Sequence, residues 1–139
     1  MVSATDAVIL GGTAALYFIL GALWYSPVLF GNLWMKTINK TPADLKDGHN
    51  MLAAMSVSYL VCLAQVFVMA MVVTHLKVQS VIYSMIIGAM IALAFGLLSA
   101  VRSHFYEARN LRLMVIDHGY DIVGGAMAAG LLTALLLSS

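Results

Sequence analysis

Charge is what this chain has least of. Seven basic and six acidic side chains are spread over 139 residues, 9% of the total, where a soluble domain carries about 25%. That scarcity excludes an ordinary solvated surface. The net charge of +1 excludes nucleic-acid binding through a basic face. A single cysteine, Cys62, rules out an intramolecular disulfide and a CxxC metal knuckle. With only Pro27 and Pro42 as prolines, long helices meet few forced breaks. GxSxG, HExxH and Gly-rich phosphate loops are all missing, and Ser56, Ser58, Ser84 and Ser99 have no His–acid pair beside them. An enzyme is therefore the less favoured reading. The opening MVSATDAVIL lacks a basic stretch before the first apolar run, so that run reads as a retained membrane segment and not a signal peptide.

Hydrophobic residues make up 63% of the chain, against about 45–50% in soluble domains. They gather into four runs, over 7–25, 51–74, 81–101 and 113–137, with one polar loop over 37–50. A span needs about 20 apolar residues. The fold class expected is all-α: one membrane domain over 1–139, a polytopic four-transmembrane-helix bundle whose first partner is the lipid bilayer. Thr41-Pro42-Ala43-Asp44 in the loop reads as a helix start, with Gly48 closing a single turn. Trp24, Tyr25 and Trp34, bracketing Pro27, are expected as interface anchors. Gln65 is the strongly polar side chain of the second span and is expected to face other helices.

Small residues mark the third and fourth spans. Gly88, Ala92, Gly96 and Ala100 recur at every fourth position, and Gly124, Gly125 and Ala129 crowd the fourth. Such stripes let backbones approach closely. No span carries the interruption of a broken transporter helix.

The polar residues concentrate between the last two spans. Ser99–Asp121 holds Arg102, His104, Glu107, Arg109, Arg112, Asp117, His118 and Asp121. The uncharged part of the fourth run, Ile122 to Leu137, is 16 residues and reaches only about 24 Å as a helix. To cross, it must draw in residues from Leu113 to Asp121, which puts Asp121 below the lipid surface. On a helix Asp117 and Asp121 share a face, as do His118 and Asp121. Two readings follow. One is a proton or cation site. The other is an ion-pair network in which Arg102, Arg109 or Arg112 neutralises Asp117, Asp121 and Glu107. A metal held by His104, His118 and Asp121 is a geometric third, although no resident metal or cofactor is expected. Met51, Met55 and Cys62 could offer soft ligands, but the remaining methionines do not continue the file and read as apolar filler.

Lys36, Lys40 and Lys46 lie in the first loop and Arg102, Arg109 and Arg112 in the third, while only Lys77 lies on the other side. The positive-inside rule then gives N-out and C-out in an inner or plasma membrane. The role expected is an accessory subunit or homo-oligomer, self-associating or joining a larger membrane complex through its Gly/Ala faces. The alternative is a small proton- or cation-linked transporter using Asp117, His118 and Asp121.

Two stretches carry a resemblance. Gly21-Ala22-Leu23-Trp24-Tyr25-Ser26-Pro27, with Leu29-Phe30-Gly31 and Trp34-Met35-Lys36, resembles the signature of the DUF1761 family of small four-span membrane proteins. Phe105-Tyr106-Glu107-Ala108-Arg109, through Leu111-Arg112-Leu113 to Asp117-His118-Gly119-Tyr120, is similar to that family's second block. Here the usual Gly-Arg-Pro reads Ala108-Arg109-Asn110. The resemblance implies the four-span fold and a membrane location, and carries no activity.

Overall fold

The structure, a computed structural model, describes residues 4–47 and 51–138. Gly48, expected to close the loop turn, lies outside them. Seven α-helices follow in order: α1 (Ala4–Trp24), α2 (Gly31–Thr37), α3 (Pro42–Asp47), α4 (Met51–His75), α5 (Val81–Ala92), α6 (Leu98–Glu107) and α7 (Leu111–Ser138). A π-helical turn, Leu93–Leu97, joins α5 to α6. The result is four helices long and apolar enough to cross a membrane: α1, α4, the continuous α5–α6 rod and α7. Among the described residues there is no strand.

α7 is the axis. It packs against α1, α4 and α5, and α2 folds back onto it. The core lies along its inner side, with Ala128, Ala129 and Leu132 sealed against Ala14 and Tyr17 of α1 and Cys62, Val66 and Met69 of α4. The closest approach is backbone to backbone. A Cβ on Gly88 would overlap the Gly125 carbonyl, and one on Gly125 would stand 2.9 Å from the Gly88 carbonyl oxygen. Lower down, the buried Ser84 and Thr133 hydroxyls hydrogen-bond across the same seam. Ser84 also donates to the Ser80 carbonyl, which leaves Thr133 as the donor across the seam.

The chain reverses after α1 through Tyr25–Phe30. Phe30 N–H donates to the Trp24 carbonyl and Gly31 N–H to the Ser26 carbonyl. A Cβ on Gly31 would overlap the Tyr25 and Ser26 backbone, so glycine is required for this tight return. In the next loop Thr41 and Asp44 cap α3 reciprocally: the Thr41 hydroxyl donates to the Asp44 carboxylate and accepts from Asp44 N–H. The Thr41 hydroxyl and the Thr41 N–H, which also donates to that carboxylate, hold the exposed Asp44 carboxyl below its usual range.

Between α6 and α7 the link is three residues, and Ala108 stands in the left-handed region with φ of 52°. That conformation costs a Cβ-bearing residue about 1–2 kcal/mol. Ala108→Gly is therefore expected to raise stability by about 1 kcal/mol, read as the midpoint of unfolding in mixed micelles with increasing SDS.

Candidate functional site

The polar stretch of the sequence separates into two places. The first is the α6–α7 turn. His104 Nδ1 hydrogen-bonds the Arg109 carbonyl. Glu107 pairs with Arg109 at 2.8 Å, both well exposed, which contributes little to stability. Asn110 accepts from Arg112 N–H at 2.9 Å and so caps α7. Arg102 reaches back to Ser99. These groups close a helical hairpin. Among the described residues no arginine or lysine pairs with Asp117 or Asp121, so the expected neutralising network does not reach the two acids. His104 stays at the turn, and among the described residues no three His, Cys, Asp or Glu side chains gather as a metal would require.

The second place is in the bundle. Asp117, His118 and Asp121 lie along α7, partly buried. His118 Nδ1 and Asp121 Oδ2 are hydrogen-bonded at 3.1 Å. Tyr25 donates its hydroxyl to Asp117 Oδ1 at 3.0 Å, and Trp34 packs edge-on to the Tyr25 ring at 5.6 Å beside the same carboxyl. Trp24 donates its indole N–H to the Ile116 carbonyl at 2.9 Å. The three aromatics expected as membrane anchors are thus turned onto the acidic segment of α7. Tyr120 ties the layer to α1: its hydroxyl donates to the Tyr17 carbonyl at 3.2 Å, and the Tyr17 hydroxyl reaches the Asp121 carbonyl at 3.4 Å. Gly124 makes room for this, because a Cβ there would overlap the buried Tyr17 ring.

Asp121 lies about 4 Å from the mid-length of the Leu111–Leu136 span, at about 1.5 Å per residue. Gln65 is similarly central in α4, and Gly96 in the α5–α6 rod. Gly96 is the close neighbour of the pair: a Cβ on it would stand 3.1 Å from His118 Nδ1 and 3.8 Å from Asp121 Oδ2. Gly96 also lies within the π turn.

The rod runs without a break from Val81 to Glu107, and the π turn within it re-aims the small-residue stripe. Residues four apart on an α-helix advance about 40° past a full turn, so three such steps carry a stripe about 120° round the rod. One extra residue taken up in a π turn winds back about 100°. Gly88, Ala92, Gly96 and Ala100 can therefore all face α7. Gly88 and Ala92 meet Gly125, Gly96 meets His118, and Ala100 is buried.

Two cavities flank the layer. One, of about 450 Å³, lies between α4, the π-turn region and α7, lined by Phe95, Gly96 and Gly125 among others. The other, of about 840 Å³, is a cleft between α1, α4 and α7, walled by Phe18, Tyr25, Trp34 and Tyr120. Asp121 and Gln65 line both. Gln65 is exposed and, among the described residues, forms no hydrogen bond to another helix. The interhelical bond expected of it is replaced by a position between the two cavities.

A family model described as "Protein of unknown function (DUF1761)" matches residues 7–133. No curated protein and no solved structure matches the chain.

Proposed function

Since the chain belongs to the DUF1761 family, which brings a fold and no activity, we propose from the site itself that it is a small proton- or cation-linked membrane carrier. The observation that carries this reading is the position of Asp121: hydrogen-bonded to His118, near the mid-length of an apolar helix long enough to cross a membrane, and facing two cavities that meet at it and Gln65. Ionisable side chains inside membrane spans are costly and mark ion or substrate pathways. Asp121 and His118 are the groups that would exchange a proton, with Asp117, Tyr17, Tyr25, Tyr120 and Cys62 facing them from α1, α4 and α7. The Gly/Ala faces expected to recruit a partner are spent within the chain. Gly88, Gly124, Gly125 and Ala129 all pack on its own helices, which removes the main support for an accessory role. The basic loops are assigned to the cytoplasm and both termini to the outside by the positive-inside rule.

The test is flux. Purified protein in liposomes containing a pH-sensitive dye, with a proton gradient imposed, is expected to dissipate that gradient faster than empty liposomes. The rate is expected to change when sodium, potassium or an organic ammonium salt is placed on one side. Dissipation equal to that of empty liposomes under every gradient would sink the proposal.

A further inference from the structure

We propose that the cleft between α1, α4 and α7 binds a lipophilic organic ammonium ion, its charged head at Asp117 and its apolar body along α4. This deepens the carrier reading and rests on it for the site's role in transport. The chemistry of the lining selects the ligand. Two carboxylates, Asp117 and Asp121, face the cleft. The histidine beside them can offset at most one negative charge, and among the described residues no arginine or lysine pairs with either acid. An anion is therefore disfavoured and a cation favoured.

The rest of the wall says which cation. Tyr25 stands edge-on to Trp34 and to Tyr120, with ring centroids 5.6 Å and 5.8 Å apart, a cluster of three rings next to the Asp117 carboxylate. Ring faces attract ammonium groups within about 6 Å. Sodium or calcium instead takes a shell of oxygens, and this wall is mostly carbon. The volume, about 840 Å³, suits a drug-sized molecule, for which pockets run about 300–1,000 Å³. Entry is lateral. From Met51 to Val61, α4 is exposed at every residue but Tyr59. This half-helix stands off the bundle, with Met51, Met55, Val57 and Val61 along the cleft. An apolar tail coming from the lipid would meet these side chains before its head met Asp117.

The test is equilibrium binding of radiolabelled benzyltrimethylammonium to the full chain in nanodiscs. Neopentylbenzene, in which carbon replaces the charged nitrogen, is the competitor. Saturable binding is expected, displaced by unlabelled cation and not by the uncharged analogue. Asp117→Asn is expected to weaken it about tenfold, near 1.4 kcal/mol, while Asp117→Glu retains most of it. Trp34→Leu, on the short helix α2 away from the core, is expected to weaken it about fivefold and keeps the test open if Asp117→Asn does not fold. Displacement by neopentylbenzene as effective as by the cation, or affinity unchanged in both Asp117→Asn and Trp34→Leu, would overturn the assignment. A protein that carries protons in liposomes yet fails to bind the probe loses the ligand class and keeps the carrier reading. One that binds the probe yet carries no flux loses the carrier reading and keeps the ligand class.

Discussion

Gly88→Ala is expected to cost the bundle about 3 kcal/mol or more, whereas Gly12→Ala leaves it as stable as before or about 0.5–1 kcal/mol better. Both replace a helical glycine by one methyl group, so propensity alone predicts the same modest gain for each. Their surroundings differ. Nothing lies within 4 Å of a Cβ on Gly12, while a Cβ on Gly88 would overlap the Gly125 carbonyl and lie 2.9 Å from the Ala129 methyl. A carbonyl of a packed helix has nowhere to go, so α5 and α7 must separate. Separation also breaks the Ser84–Thr133 hydrogen bond and moves Gly96 off His118. SDS-unfolding midpoints of the two variants check this. Equal midpoints would show that the seam is looser than described.

Asp121→Asn is expected to reduce proton-linked flux to the level of empty liposomes, with the folded fraction unchanged. The amide keeps the shape and can still accept from His118 Nδ1. The Tyr17 hydroxyl is anchored on the Asp121 backbone carbonyl, which the substitution leaves in place. What is lost is a group that can carry a proton or balance a cation. Flux in Asp121→Asn equal to wild type, with unaltered gel filtration, would show the acid to be structural.

The architecture was legible because membrane physics leaves few choices. Four apolar runs must become four helices, and the fourth was visibly too short without its acids. Pro27 disfavours helical geometry at Ser26, and α1 does end at Trp24. The partners of the acids were harder to read. Asp117 lies about 9 Å and Asp121 about 15 Å along the axis from Leu111, where α7 begins. That distance follows only once Asn110 is recognised as the cap that starts α7. Without it, Arg102 and Arg109 look like neighbours of the acids. With it, they belong to the turn. The inward pose of Trp24 and Tyr25 depends on α7 passing beside α1, a tertiary fact that no local pattern encodes. The role of Gln65 was hidden for a similar reason. Its amide faces two cavities instead of a helix, and cavities are made by neighbours.

The most direct measurement of the central claim is the accessibility of Gln65, the side chain placed between both cavities. In a Cys62→Ser background, Gln65→Cys is treated with a membrane-impermeant cationic thiosulfonate added to one face of sealed vesicles at a time. Lys40→Cys, in the loop between the first two spans, is reactive from one face alone and marks the sides. Modification of Gln65→Cys from both faces, faster when the chain is turning over, is the result expected of a carrier whose two cavities meet at that residue. A cysteine there that reacts from neither face, yet reacts fully once the protein is unfolded in SDS, would contradict it.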